Sequence, residues 1–448
     1  MTSSSGPPPF LERLGLHRPE LRAWAMYDWA ITAFYAVIIV AVFPIYFQNV
    51  AASGLDDAVA SSRLSTITAI ALVIAAGVAP IFGAVTDYLA VKKRFLATFA
   101  GLGVAAVAGM FFIHEGDLLL ASILFILANI GANGSMIFYD ALLPHLANEE
   151  EVDRVSSAGF AVGYCGATLV LIATMVLVTQ PTWFGMAEDS TLPARLSFIG
   201  IALWWFLFTI PLLKRVPEPP LETDGEERTF FEALRDGLAG LRRTFGELRK
   251  FRHAFLFLIA FFIYNDGIST IIRLATAYGT ELGFEQGLLI GSIIVVQVVA
   301  IPCTFAFGAI AGWIGTKRAL FGGLVIYMMI SILGYFMTTA AHFVALAAMV
   351  GMVQGGTQAL SRSLFASMIP RYLSGRFFGF FAVFERFSGI LGPAVFAVVG
   401  LSAGSSRPAI LSIIAFFIIG GALLYFVDID EGRRVARSRE AKMRGDTP

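Results

Sequence analysis

The stretch GAVTDYLAVKKR, residues 83–94, joins two long apolar runs through a short basic loop. A related stretch, GAIAGWIGTKR at 308–318, begins 225 residues later. Two shorter pairs of segments repeat at offsets of 226 and 221 residues: 142–144 with 368–370, and 160–162 with 381–383. Because all three offsets are close to half the chain, the sequence predicts two related halves in the same orientation, a parallel repeat.

Apolar runs that are long enough to cross a bilayer occur twelve times, since about 20 apolar residues span the hydrocarbon core. The content of 57% hydrophobic and 14% charged residues in a chain of 448 is typical of a polytopic membrane protein. We therefore predict an all-α membrane protein whose twelve helices form two six-helix bundles. The predicted spans 1 to 12 are 22–49, 63–86, 95–113, 118–142, 155–179, 194–213, 254–279, 287–313, 319–338, 343–367, 375–401 and 407–428.

Lysine and arginine are divided unevenly between the two sides of these spans. With both termini in the cytoplasm, 26 of the 32 Lys and Arg residues lie on that side, and the positive-inside rule favours this orientation.

The longest polar segment, 215–252, is the linker between the two halves. It could lie on the inner membrane face through an amphipathic helix at 230–250, or it could be a plain connector packed on the span ends. The predicted organisation is a cytoplasmic tail (1–21), a first half (22–214), this linker (215–252), a second half (253–429) and a basic cytoplasmic tail (430–448).

Away from the span ends, charged side chains within the spans are few, and they fall on spans 1, 4, 7, 10 and 11. A charge at bilayer depth is costly unless it faces protein or water, so each is a candidate functional residue. Their recurrence at every third span suggests four three-helix units around one polar pathway. The charged residues are Asp28, Asp140, Asp266, Arg273, Arg362, Glu385 and Arg386.

Three of these charges lie within about 10 Å of the cytoplasmic ends of their spans, at 1.5 Å per residue. Asp28 and Asp140 belong to the first half, and Arg362 belongs to the second. We predict a cytoplasmic gate in which an ion pair between the halves closes the inner face and breaks on opening. The alternative is that both aspartates cap helix N-termini within their own half.

Asp266 and Glu385 lie deeper, about 18 Å into span 7 and about 15 Å into span 11. We predict a site there that binds a small polar solute or couples its movement to protons, because a desolvated carboxylate can carry a proton. The candidates for proton coupling are Asp266, Glu385 and Asp28, in that order. The polar neighbours could instead form ordinary hydrogen bonds between helices. These predicted site residues are Tyr264, Asn265, Gln354, Gln358, Asn133, Asn129 and Gln297, with Tyr35 and Tyr164 as further hydroxyls.

The loop at 83–94 has a physical logic of its own. Gly83 permits close packing of helices. Asp87, just outside the bilayer, can accept hydrogen bonds from the N-terminus of a neighbouring helix or pair with a cation. Lys92, Lys93 and Arg94 hold the loop on the cytoplasmic side. We interpret the loop as a conformational latch; a purely topological role for its positive charges is the simpler alternative.

This loop resembles the signature between helices 2 and 3 of the major facilitator superfamily. Four further stretches narrow the resemblance to the vacuole-effluxer branch, the family of autophagy-related protein 22: residues 22–30, 138–144, 264–267 and 354–364. The resemblance implies a secondary transporter that works by alternating access, and amino acids are the substrate class it suggests. We expect the protein to be a monomer in a bacterial inner membrane. One departure is Gly312, which stands where the second copy of the loop would carry an acid.

Several other function classes are disfavoured. A net charge of zero argues against nucleic-acid binding, and the lack of a Gly-x-x-x-x-Gly-Lys-Ser/Thr motif argues against ATP-driven pumping. The two cysteines, Cys165 and Cys303, lie inside spans and the five histidines are scattered, so we predict no metal site, no cofactor and no enzymatic activity. The alternative to transport is a membrane sensor or scaffold that keeps the fold without moving a solute.

Overall fold

The computed structural model describes residues 10–187, 190–220, 232, 235, 245–403 and 406–444. Within them, twelve helices are long and apolar enough to cross a membrane, so the predicted fold class is confirmed. The helices are α1 (Pro19–Ala51), α2 (Asp57–Tyr88), α3 (Lys92–Gly109), α4 (Leu118–Leu146), α5 (Val152–Thr179), α6 (Leu192–Arg215), α7 (Arg252–Glu281), α8 (Gln286–Ile314), α9 (Thr316–Tyr335), α10 (Ala340–Ser367), α11a (Ser374–Phe387), α11b (Leu391–Ala403), α12a (Ser406–Ser412), α12b (Ile414–Tyr425) and α13 (Ile429–Arg444).

Two membrane helices are irregular. The first, α1, is an ordinary α-helix as far as Phe34 and then passes through wider π-helical turns at Tyr35–Ala41 and Phe47–Ala51; π-helical turns inside helices are frequent at functional sites. The eleventh span is broken between α11a and α11b, where Gly389 has a φ of +93°. Both irregularities lie beside the cavity described below.

The two halves meet along pairs of helices, with α2 packed on α11a and α5 packed on α8. Glycines permit both approaches. A Cβ atom at Gly83 would lie 2.2 Å from the carbonyl oxygen of Gly375, and one at Gly308 would lie 2.7 Å from the Cβ of Ser157. Gly83 and Gly308 are the first residues of the two repeated stretches, so the repeat places a glycine at each crossing.

The described ends of the chain lie on the same face of the molecule. Arg18, just before α1, donates hydrogen bonds to the carbonyl oxygen of Leu146 at 2.6 Å and to Glu151 at 2.5 Å. Arg437 of α13 pairs with Glu149. These partners all lie at or beside the loop between α4 and α5. We call this side the terminal face and the opposite side the far face.

The linker between the halves is described only at its edges. Most of 221–244, including most of the predicted amphipathic helix, lies outside the described residues. Its last turn, 245–250, is helical. There Phe245 packs on Phe255 and Phe380, with ring centroids 5.5 and 5.8 Å apart, and Leu248 is fully buried. This end of the linker therefore packs on α7 and α11a.

Candidate functional site

The loop between α2 and α3 contacts the opposite half through Asp87. Its carboxylate accepts hydrogen bonds from the backbone N–H groups of Gly375 and Arg376, both at 2.8 Å, and it pairs with Lys92 at 3.1 Å. The two N–H groups are at the first turn of α11a, where helix N-terminal amides lack partners of their own. Lys93 and Arg94 lie farther out, with only Lys92 buried beside the carboxylate.

The residue that corresponds to Asp87 in the second half is Gly312, and the contact between the halves is built differently there. A Cβ atom at Gly312 would meet nothing within 4 Å, so that position points into open space. The acid is supplied instead from the first half by Asp153, in the first turn of α5. One of its oxygens accepts a hydrogen bond from Thr316 at 2.5 Å, and the other accepts one from Ser363. The two halves are thus joined by Asp87 at one crossing and by Asp153 at the other.

Arg362 on α10 joins the halves between these two crossings. Its guanidinium lies 3.1 Å from a carboxylate oxygen of Asp140 and 3.4 Å from one of Asp28, and it donates two further bonds, each 3.0 Å, to the side chain and backbone oxygens of Ser156. The side chains of Arg362 and Asp28 are each only 3% exposed. The three residues predicted to form the gate therefore lie together in one buried network.

Neighbouring residues support this network. Tyr139 donates a hydrogen bond to the same oxygen of Asp28 at 2.6 Å. The rings of Trp24 and Phe160 lie 4.9 and 4.4 Å from the guanidinium carbon of Arg362, a range in which cation–π attraction is favourable. Gly159 leaves room for the pair, because a Cβ atom there would lie 2.6 Å from Asp28.

The C-terminal helix α13 adds an outer contact at the terminal face. Arg437 pairs with both oxygens of Glu149, and Arg433 lies 3.7 Å from the same carboxylate. The bond to Glu149 raises the pKa of Arg437 above its usual value. Glu440 accepts a bond from the backbone N–H of Arg371 at 2.6 Å. Because Glu149 belongs to the first half and Arg371 to the second, α13 bridges the two.

A cavity of 760 Å³ lies above this closed face, between the two halves. Asp28 is at its floor, and its walls rise towards the far face along the outer parts of α1, α7 and α8. The wall is largely apolar, with Ile39, Ile293 and Phe343 among its residues. Polar side chains gather on the middle of the wall: Tyr35, Tyr164, Arg273, Gln297, Gln354, Gln358, Glu385 and Arg386.

The charged part of the wall comes from the end of α11a. Glu385 and Arg386 both line the cavity and lie 3.8 Å apart; each is held on the last turn of α11a. Arg386 also donates a long hydrogen bond of 3.4 Å to Tyr35 on the opposite half, and its buried Nε atom has no hydrogen-bond partner. Arg386 therefore has unused capacity to bind an anionic group.

The amides and phenols on the cavity wall link the halves. Tyr164 on α5 donates a hydrogen bond to Gln358 on α10 at 3.3 Å. Gln354 lies one turn farther towards the far face, and Gln297 faces them from α8. The structure thus brings Gln297, Gln354, Gln358 and Glu385 of the predicted site into one cavity.

Five predicted site residues are not among the described residues that line this cavity. Asp266 is fully buried and accepts bonds from the backbone N–H groups of Leu391 and Gly392 at 3.1 and 2.7 Å. The remaining four bond to side chains or to their own helix: Tyr264 to Ser361, Asn265 to Ser388, Asn129 to the carbonyl of Phe125, and Asn133 to Tyr35 and the carbonyl of Asn129. Asn133 supports the cavity indirectly, because it orients Tyr35.

Three residues near the site were not among the predicted site residues. Arg273 and Arg386 were recognised as charges within spans, and their depth close to Asp266 and Glu385 was the available signal. Asp153 lies at the end of its span, where an acid beside a helix N-terminus is common, so its sequence context gave no signal. Within the described ranges, no group of three or more His, Cys, Asp or Glu residues is placed to hold a metal ion.

Comparison with known proteins finds a matching family profile and similar sequences over most of this chain. The profile of the family described as "Vacuole effluxer Atg22 like" matches residues 17–437. An uncharacterized MFS-type transporter of Bacillus subtilis, YxiO, is 36% identical over 431 residues, which cover 93% of this chain and 96% of the relative. Autophagy-related protein 22-1 of Aspergillus niger is 30% identical over 317 residues, covering 65% of this chain and 50% of that protein.

Solved structures share the fold at low sequence identity. The proton:xylose symporter XylE superposes with a TM-score of 0.69 at 18% identity, over 92% of this chain and 95% of its own. FucP, a major facilitator superfamily transporter solved in an outward conformation, gives 0.67 at 14% identity over 93% and 99%. Likenesses at this identity extend to the fold and not to the substrate.

Proposed function

The chain belongs to the Atg22-like vacuole effluxers of the major facilitator superfamily, and on that premise we propose that it carries a small zwitterionic solute through the cavity between its halves by alternating access. Its fold and its relatives make it a membrane-embedded secondary transporter of a small molecule and not an enzyme. The solute and the coupling to protons are the parts that we propose.

The pairing of Glu385 and Arg386 carries the substrate proposal. Two opposite charges 3.8 Å apart on one wall offer partners for an ammonium and a carboxylate. Arg386 lines the cavity, and its guanidinium N–H groups are suitable donors for an incoming carboxylate. The largely apolar remainder of the wall suits an uncharged side chain. Amino acids combine these three features.

The direction of opening follows from the closed contacts. The terminal face is held shut by Asp87, Asp153, Arg362 and α13, while the cavity extends towards the far face. Since the positive-inside rule favours a cytoplasmic terminal face, we assign this conformation to the outward-facing state. Transport requires the buried pairs of Arg362 to break so that the terminal face can open.

Glu385 is our candidate for proton coupling. It faces the cavity, where water and substrate reach it, and its nearest cation, Arg386, lies at a distance too long for a strong hydrogen bond. Protonation of Glu385 would remove the charge that pairs with the substrate ammonium and so favour release of the solute, which links the two events. Asp266, by contrast, is occupied by two backbone N–H groups.

Counterflow in proteoliposomes tests the proposal. Proteoliposomes that contain the purified protein are each loaded with one unlabelled compound from a panel of amino acids, sugars and short peptides. Uptake of the same compound in labelled form is then measured with and without a pH gradient. We expect zwitterions to be exchanged. The variant Arg386→Ala should raise KM roughly 10-fold to 100-fold, the loss expected for a hydrogen bond between charged groups, and Arg386→Lys should recover part of it.

Two further variants sharpen the result. Glu385→Gln should lose the stimulation by a pH gradient and should raise KM, because a neutral amide binds the substrate ammonium less strongly than a carboxylate, and Arg434→Ala, which changes an exposed arginine of α13, should leave KM unchanged. Exchange of sugars alone, or an unchanged KM in Arg386→Ala, would contradict the zwitterion assignment. Binding without flux for every compound would support the sensor or scaffold alternative.

A further inference from the structure

The break in the eleventh span exposes backbone groups inside the membrane. Residues 388–390 separate α11a from α11b, and Gly389 has a φ of +93°, which favours glycine. At this break the amides of Leu391 and Gly392 and the carbonyl of Gly389 lose their helical partners. Such groups must find partners in the protein, because the hydrocarbon core offers none.

One face of α7 supplies these partners. The carboxylate of Asp266 accepts bonds from both amides, at 3.1 and 2.7 Å. Arg273, two turns farther along the same helix, donates a bond of 3.1 Å to the carbonyl oxygen of Gly389. Asn265 donates a bond to Ser388, whose hydroxyl in turn bonds to the carbonyl oxygen of Glu385 at 2.6 Å.

The packing at the break is too close for larger residues. A Cβ atom at Gly392 would lie 1.9 Å from the hydroxyl oxygen of Thr270 and 2.7 Å from Asp266. A Cβ atom at Gly389 would lie 3.0 Å from the Cβ of Ser269. The two helices are therefore fitted to each other at this point, with the first residues of α11b seated on the carboxylate.

The break determines what faces the cavity. Glu385 and Arg386 are the last charged residues of α11a before it, and both line the cavity. Beyond it, α11b contributes Phe396 to the wall nearer the far face and packs on α12a. A continuous helix would fix these two parts of the wall in a single orientation. The break lets α11a and α11b present their side chains independently.

We propose that Asp266 is a positioning residue that keeps the eleventh helix broken, and thereby sets the direction of Glu385 and Arg386 and the placement of α11b on the cavity wall. The effect on transport rests on the proposed function of the cavity, whereas the structural effect does not. The competing assignment is that Asp266 itself carries the coupled proton. A positioning role requires acceptor oxygens, while a coupling role requires a group that ionises.

Hydrogen–deuterium exchange measured by mass spectrometry on the purified full-length protein in nanodiscs separates the two assignments. Asp266→Ala removes both acceptors, so peptides covering 388–403 should exchange roughly tenfold faster or more, as expected for the loss of one charge-assisted hydrogen bond. Asp266→Asn keeps one acceptor oxygen and should be intermediate. Thr209→Val removes a buried hydroxyl of α6 that bonds only within its own helix and should leave these peptides unchanged.

Transport assays on the same variants complete the test. We expect Asp266→Asn to retain stimulation by a pH gradient and Asp266→Ala to transport less than Asp266→Asn. The proposal is overturned if exchange at 388–403 is the same in Asp266→Ala as in the parent protein. It is also overturned if Asp266→Asn abolishes the pH stimulation while exchange stays unchanged. Because exchange needs no substrate, a failed search for the solute leaves this test intact.

Discussion

At the scale of single residues, Arg362 is the side chain that most directly ties the closed terminal face to the cavity floor. It contacts Asp140 and Asp28 of the opposite half, and Asp28 also lines the floor of the cavity. Removing one partner of a buried ion pair typically costs about 3–5 kcal/mol, mostly because the remaining charge stays buried without compensation. In an opened face the two aspartates would meet water, so the loss of Arg362 penalises the closed state selectively.

We therefore predict that Arg362→Ala shifts the protein towards a state open at the terminal face. In a background with Cys165→Ser and Cys303→Ser, Ser157→Cys serves as the reporter, because Ser157 is buried at the crossing of α5 with α8 and its hydroxyl has no partner. Its labelling by a thiol reagent should rise on the order of 100-fold for about 3 kcal/mol. Arg318→Ala, which alters an exposed arginine on the same face, is the control; equal labelling in both variants would refute the gate.

The contact of Arg362 with Asp28 and Asp140 could be anticipated from sequence, whereas the environment of Asp266 could not. Asp28, Asp140 and Arg362 have opposite charges at similar depth in different halves, and buried charges need partners. The partners of Asp266 are backbone amides of another helix, and any residue carries those. The sequence signals for the break that frees them were Ser388-Gly389 and Pro393, which has no N–H to bond the carbonyl of Gly389, but glycine and proline are both frequent in membrane helices without breaking them.

At the scale of helices, the repeat is more exact in its glycines than in its acids. Gly83 and Gly308 both lie where helices from opposite halves cross. The acid of the first loop, Asp87, bonds to the start of α11a, but its counterpart position holds Gly312, and Asp153 of α5 bonds in the reverse direction to Thr316 and Ser363. Close packing restricts a crossing to small residues, whereas a hydrogen bond across it can be donated or accepted from either side.

If Asp153 is the counterpart of Asp87, then Asp153→Ala should also loosen the terminal face. Hydrogen bonds to a charged acceptor are each worth about 1.5–3 kcal/mol, so the labelling of Ser157→Cys should rise roughly 10-fold to 100-fold. Glu150→Ala is the matched control, since Glu150 is an exposed acid of the same loop region. A rise in the control as large as that in Asp153→Ala would mean that the net charge of the loop, and not this contact, holds the face closed.

The sequence predicted the positions of the helices, but it did not predict the irregularities within them. The twelve spans follow from apolar length alone, because the bilayer imposes a minimum apolar length on every helix that crosses it. The π-helical turns of α1 and the break between α11a and α11b depend on tertiary partners, such as Asn133 for Tyr35 and Asp266 for Leu391. Apolar periodicity does not encode such partners, so these details had to come from the structure.

At the scale of the whole molecule, the closed terminal face is built in layers. Arg362 lies innermost at the cavity floor, Asp87 and Asp153 lie at the two crossings, and α13 lies outermost, bonded to Glu149 of one half and Arg371 of the other. Each layer joins residues of different halves. Alternating access requires all of them to separate together, so a covalent bond across any one of them should arrest the cycle.

The outermost layer offers the most accessible place for such a bond. With Glu149→Cys and Arg437→Cys in the background lacking Cys165 and Cys303, a short bismaleimide should join the first half to α13 and abolish counterflow. The control pair Glu431→Cys and Arg434→Cys lies within α13, where the native residues pair at 2.5 Å, so its crosslink joins no two halves and should leave counterflow intact. If the first crosslink forms and counterflow persists, the halves can separate while α13 stays attached to the first half. In that case α13 is not one of the layers that hold the terminal face closed.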